Sequence, residues 1–187
     1  QKKEKKRINM FLSSELPEEM PLLDVETRVH LNARQWTILS DENSWHVHFY
    51  QEVSSQIDES VFEVLYAEKG RPNVAIYLLV SMLFLKEREN WSDEALFRAC
   101  QFDLQVLCAL GLNLGDPIPA ASTYYNFKSK LEKYYEQTGI DLLEECFKDL
   151  TSGQVQRHAV SGKKVRMDSK LIQSNIAKVS RLQLVLG

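Results

Sequence analysis

Apolar residues recur at helical spacing from Phe49 onwards. Phe49, Val53 and Ile57 stand four apart, and Phe62, Leu65 and Tyr66 repeat the i, i+3, i+4 step. Gly70-Arg71-Pro72 interrupts the pattern, and Pro72 suits the opening of a new helix. Asn73–Glu89 follows, apolar nearly all round in its first three turns. A helix without a polar face belongs inside, so this stretch is the expected central core element. Leu78, Leu79, Met82 and Phe84 are expected among the least exposed residues. Ser92 predicts the cap of a short helix over Asp93–Cys100, with its acids in the first turn. Phe102-Asp103 opens another helical piece that runs to Leu110 and stops at Gly111. After the loop Leu112–Pro119, a helix is predicted over 122–135, ended by Gly139. A further amphipathic helix covers Ile140–Leu150, stopped by Thr151-Ser152-Gly153.

The two ends read differently. Residues 8–45 are polar, carry Pro17 and Pro21 with clustered acids, and show no clean period. They are expected to lie extended over the domain, anchored by Trp36, Ile38, Leu39 and Trp45. After Gly162 the period changes to two: Lys164, Arg166 and Asp168 alternate with Val165 and Met167, a half-buried strand. One or two strands cannot make a stable sheet alone, so a second domain is expected to begin there. The expected organisation is a basic arm and polar segment at 1–45, a helical domain at 46–153, and the start of a second domain at 154–187. The chain begins with Gln, which reads as an excerpt of something longer.

Composition changes this picture little. With 187 residues, 44% hydrophobic and 26% charged, the chain can bury a core and is not a disordered or fibrous polymer. Cys100, Cys108 and Cys146 form no CxxC pair and no disulfide framework, and are read as reduced thiols of a cytoplasmic protein. Val74–Leu85 is too short to span a bilayer, which takes about 20 apolar residues, so no membrane partner is expected.

Charge changes the picture more. The net charge of −3 conceals +4 over residues 1–7, −10 over 8–68 and +6 over 154–187. Basic ends around an acidic middle hint at a polyanion such as DNA, although charge runs are commonly just solvated faces.

Three groups of residues could carry chemistry. On helix 122–135, Tyr124, Phe127, Leu131 and Tyr134 share one face, and Ser122, Asn126, Ser129, Lys130 and Lys133 the opposite one. Short helices, a turn and this helix make a helix-turn-helix-like order, in which the polar face would meet bases and phosphates. The same pattern equally describes an ordinary amphipathic helix with a wet, lysine-bearing face, and the turn exceeds the usual three to four residues. His46 and His48 would share one strand face, but with no further ligand beside them they read as a surface or packing pair rather than a metal site. His30 and His158 are isolated. Asp168 is the sole acid in a strongly basic stretch. Its spacing makes it a strand end beside a turn, and one carboxylate needs partners to hold a divalent cation.

Residues 60–131 resemble the N-terminal helical domain of bacterial insertion-sequence transposases, the InsH-like group. The resemblance rests on Phe62, Leu65-Tyr66, Gly70-Arg71-Pro72, Trp91-Ser92-Asp93-Glu94-Ala95-Leu96, Phe102-Asp103-Leu104, Ala109-Leu110-Gly111, and Ser122-Thr123 leading into Phe127 and Leu131. The segment Lys163–Ile172 with Ser174-Asn175-Ile176-Ala177 resembles the start of the same family's catalytic domain, whose fold is ribonuclease-H-like. The resemblance implies a mainly α chain followed by the first strand of a truncated α/β nuclease domain. It implies a DDE transposase that cuts DNA at element ends and transfers strands with Mg2+ or Mn2+. Asp168 matches the first catalytic, metal-binding aspartate. The second and third acids are absent, so this chain by itself is expected to bind no metal and to be inactive. DNA at the transposon ends is the implied partner, met by the helix 122–135 residues and by Lys163, Lys164, Arg166 and Lys170. A non-catalytic helical module that self-associates or regulates its parent is the alternative reading.

Overall fold

A computed structural model describes residues 11–14, 25–66 and 73–158. Among them the chain is helical, with eight α-helices and no strand: α1 Val25–His30, α2 Ala33–Leu39, α3 Trp45–Glu52, α4 Ile76–Glu89, α5 Asp93–Phe102, α6 Leu104–Ala109, α7 Ala121–Thr138 and α8 Leu142–Arg157. Two 3-10 helices, Ser54–Gln56 and Glu59–Leu65, join α3 to the segment before α4. The predicted strand at 164–168 lies outside the described residues.

α4 is the core element, as its pattern predicts. Ile76 to Leu83 and Leu85 are all buried. Leu78, Leu79 and Met82 are inside, whereas Phe84 is half-buried and turns its ring edge-on to Phe147 of α8, 6.1 Å between centroids. α4 packs against α5 and both 3-10 helices, and the second 3-10 helix also touches α7 and α8. Phe62, fully buried on that 3-10 helix, meets Phe127 of α7 at 5.9 Å. α3 lies on α6 and the first 3-10 helix. There the buried Ser54 hydroxyl donates to the Ala109 carbonyl at 2.7 Å.

Local signals set several helix ends, those at Ser92 and Asp103 where they are expected. The Ser92 side chain accepts from the Ala95 N–H at 3.1 Å. The Asp103 carboxylate accepts from Gln105 and Val106, and the Asp141 carboxylate from Leu143 and Glu144. Each satisfies amide donors that a first helical turn leaves open. α6 ends in a Schellman turn, with the Leu112 N–H reaching the Leu107 carbonyl and the Gly111 N–H the Cys108 carbonyl. Gly111 has φ 74°, and a Cβ there would lie 2.8 Å from the Tyr50 ring, so glycine is required twice over.

Four expectations need correction. The segment expected to lie extended at 8–45 contains α1 and α2. Its Asn32 and Gln35 form a capping box, with reciprocal bonds of 2.9 and 3.0 Å that start a helix too short to show a period. Phe62–Leu65 belongs to a 3-10 helix rather than an α-helix, and Tyr66 lies just past its end in extended conformation. His46 and His48 sit on α3 rather than on a strand, so a separation of two puts them on different sides: His46 is buried and His48 exposed. α8 does not stop at Thr151-Ser152-Gly153 but continues to Arg157. Its last turn is held from outside: Gln154 donates to the Glu52 carbonyl at 3.1 Å, Arg157 pairs with the Glu52 carboxylate at 2.7 Å, and His158 meets it at 3.1 Å. The described residues give no evidence for a helix-turn-helix: six-residue α6 is followed by an irregular connection through residues 110–120 before α7 begins.

Candidate nucleic-acid interface

α7 carries the candidate surface. Ala120 precedes it without a side-chain cap, and Gly139 closes it in the left-handed conformation, its N–H on the Tyr135 carbonyl at 2.7 Å. Its apolar face is the predicted one. Tyr124 and Phe127 are buried, while Leu131 and Tyr134 are half-buried. Tyr124 meets Phe97 of α5 edge-on at 5.5 Å. Burial, with Asp93 and Glu87 nearby, pushes the Tyr124 phenol well above its ordinary range.

Burying that face turns the opposite stripe outward. Ser122, Asn126 and Lys133 are exposed; Ser129 and Lys130 are half-buried. Ser122, Asn126, Ser129 and Lys133 recur at helical spacing on one line, with Lys130 at its edge. The first turn of α7 contains no acid. Lys130 is more than a solvated cation. Its ammonium sits 3.8 Å from the centre of the Tyr66 ring, and burial lowers its pKa. Burial, then the charge of Glu59, pushes the Tyr66 phenol up to about 12, so the ring stays neutral beneath the cation.

The remaining cations around α7 are matched by acids. Lys86 at the end of α4 pairs with Asp93 at the start of α5 at 2.7 Å. Lys128 lies 5.6 Å over the Tyr124 ring. Burial pushes the Asp93 carboxyl up, but Lys86, Lys128 and the Tyr125 hydroxyl bring it below its usual range. Glu87 goes the other way, raised by burial. Lys86 and Lys128 are thus drawn into the junction of α4, α5 and α7, which leaves Lys133 and Lys130 as the cations of the stripe.

The predicted Lys163, Lys164, Arg166, Asp168 and Lys170 lie outside the described residues. His46 is a core side chain. Its Nε2 is 3.0 Å from the Leu39 carbonyl and its Nδ1 3.2 Å from the Gln105 amide. Among the described residues no group of His, Cys, Asp or Glu could hold a metal ion. No described helix is long and apolar enough to cross a membrane.

Two features escape the sequence pattern. A groove of about 540 Å³ opens between α2, α5 and the start of α6, lined by Ile38, Leu39, Trp91, Arg98, Phe102 and Leu104 among others. Phe102 is 79% exposed at its edge. The second feature is a strap formed by residues 11–14. Glu59 accepts from the Ser14 N–H at 2.6 Å and from the Ser14 hydroxyl at 3.0 Å. Asn73 accepts from the Leu12 N–H at 2.7 Å and donates back to the Leu12 carbonyl at 3.0 Å. Phe11 places its ring 6.0 Å from that of Tyr66. The partners are 45 or more residues apart in the chain, beyond any local signal.

These features define a helical module with one aromatic-backed, lysine-bearing helix and one open apolar groove. Residues 38–130, just under half of the chain, match the family described as Transposase domain (DUF772). This match supports a transposase family, and it runs from α2 into α7. No curated protein and no solved structure matches the chain.

Proposed function

We propose that this chain is the DNA-binding, N-terminal part of a DDE transposase of the InsH-like kind. The transposase-domain match supports a transposase-related role. The observation that carries the DNA reading is the stripe Ser122, Asn126, Ser129, Lys130 and Lys133, turned away from the core by the burial of Tyr124 and Phe127. Short polar side chains approach bases and phosphates closely, and lysines neutralise phosphate charge. Lys163, Lys164, Arg166 and Lys170 would extend the same phosphate contact in the basic 154–187 stretch.

In the parent enzyme Asp168 would be the first ligand of the catalytic Mg2+ or Mn2+, an ion that activates the attacking oxygen and stabilises the leaving one. Residues 154–187 contain no second acid, and hard divalent cations are held by several oxygen ligands. The part proposed for this chain is therefore binding and positioning of the transposon ends rather than cleavage. In the parent, Asp168→Ala would abolish strand transfer and leave duplex binding by the helical part intact.

Fluorescence anisotropy with a labelled duplex of element-end sequence tests the reading. Binding should weaken linearly in log K against log salt as counterions are released. Lys133→Ala should weaken it and flatten the slope by about one. An intact chain that binds no duplex at low salt would refute the proposal.

A second reading rests on the groove. Its apolar lining and the exposed Phe102 favour a protein contact such as self-association of the transposase. Light scattering at increasing concentration, with Phe102→Ser as the control, separates this reading from the first.

A further inference from the structure

We propose that the groove beside α5 is a two-fold interface, in which a second copy of this chain packs its own α5 antiparallel to the first and each Phe102 seats in the other's groove. The proposal rests on the second reading above and names the partner and the geometry.

α5 has two apolar sides. Leu96 and Cys100 are fully buried and hold the helix to the core. Ala95, Ala99 and Phe102 recur at i, i+4 and i+7 on another side, and all three line the groove. The two alanines are half-buried, and their small side chains let a second helix come close. Phe102 stands at the end of the row, 79% exposed, and Ile38 of α2 lines the facing wall at 47%. A cleft of about 540 Å³ beside an uncovered phenyl ring is a hole and a knob on one patch. An isologous contact requires such a surface, one that complements itself.

Charge selects a second copy over a polyanion. The lining holds one cation, Arg98, and one acid, Asp103. Both are exposed, and among the described residues neither forms a salt bridge. Asp103 uses one oxygen, Oδ1, to accept from Gln105 and Val106. A dyad passing between Arg98 and Ala99 sets Ala95 of one copy opposite Phe102 of the other. The same dyad offsets Arg98 from the other copy's Asp103 by four residues, about 6 Å along the axis. Helical side chains lean toward their N-terminus, which is the direction of that aspartate. The symmetry then forms both ion pairs and seats both rings at once.

The test is analytical ultracentrifugation of the intact chain from low to high micromolar concentration, with circular dichroism melts to show that each variant is folded. A reversible monomer–dimer equilibrium is expected. Phe102→Ser should weaken it about tenfold or more, as the loss of a central aromatic anchor does. Arg98→Glu should weaken it by a similar factor, because it sets a like charge against the other copy's Asp103. Asp103→Asn keeps a good cap for α6 and should by itself weaken the dimer about threefold. Added to Arg98→Glu, the same change should strengthen the dimer, because it removes the repulsion. Ala99→Cys lies beside the dyad, and mild oxidation should link two copies through it. Ser152→Cys, exposed on α8, should give no such link.

A dimer that depends on Phe102 yet ignores Arg98→Glu, with no link through Ala99→Cys, overturns the two-fold arrangement and leaves the groove reading standing. A chain that stays monomeric at every concentration, or a dimer untouched by Phe102→Ser, defeats the groove reading and the proposal with it.

Discussion

The Glu59 carboxylate caps a helix to which it does not belong: its Oε1 accepts the Tyr77 N–H of α4 at 2.7 Å, across 18 residues of chain. Ala75, at the N-cap of α4, offers no side-chain acceptor. The first turn of the core helix would otherwise bury an unsatisfied donor. A carboxylate at this end also meets the positive pole of the helix. The same group binds Ser14, so cap and strap are one interaction.

Glu59→Ala should therefore cost more than an ordinary surface change. It strands the Tyr77 and Ser14 amides in a site where Glu59 is only 7% exposed. A loss of about 2–4 kcal/mol is expected in urea unfolding. Glu59→Gln keeps one acceptor and should cost less. Equal effects from the two substitutions would show that the carbonyl-type oxygen contributes nothing.

Leu79 and Phe84 test the core. Leu79 is 1% exposed, and Leu79→Ala should lower stability by about 2–5 kcal/mol. Phe84 packs on Phe147 at the rim, and Phe84→Ala should fall at or below the low end of that range. Denaturation midpoints of the two variants decide the order.

The Glu52 clasp should release in acid. The Arg157 hydrogen bond, with His158 beside it, holds the Glu52 carboxyl below its ordinary value in spite of some burial. A carboxyl with a depressed folded pKa contributes stability above its unfolded pKa, and loses it as pH falls through the folded one. The exposed setting limits the effect to about 1 kcal/mol or less. Hydrogen exchange of amides at 154–158 should therefore quicken, beyond the intrinsic pH trend, as the pH drops below the usual carboxylate range. In Glu52→Gln that extra component should be missing.

Cysteine chemistry should report folding. Cys100, Cys108 and Cys146 are buried, and burial pushes each thiol up to about 12. Thiolate is the reactive form. Iodoacetamide at pH 8 should leave the native chain unmodified by mass spectrometry and add three groups in denaturant. Rapid native labelling of Cys146 would place α8 differently.

Sequence alone determined the elements whose signals are local. A helix apolar all round has nowhere to go but inside, which identified α4. Ser92, Asp103 and Gly111 act on amides and carbonyls within a few residues, so the positions of α5 and α6 follow from the local sequence. The polar stripe of α7 follows from the position of Tyr124 and Phe127 at helical spacing. Only the tertiary structure decided what depends on partners far apart in the chain. The His46-Val47-His48 pattern fits strand and helix alike until Leu39 and Gln105 take both ring nitrogens of His46. The end of α8 passes Gly153 because Glu52, over a hundred residues earlier, holds Arg157 and His158. Lys130 reads as one more wet lysine until Tyr66 is found beneath it, and Glu59 as one more surface acid until Tyr77 and Ser14 close on it. Local periodicity records which face turns inward, whereas the partner that meets that face is set by the packing of the whole chain.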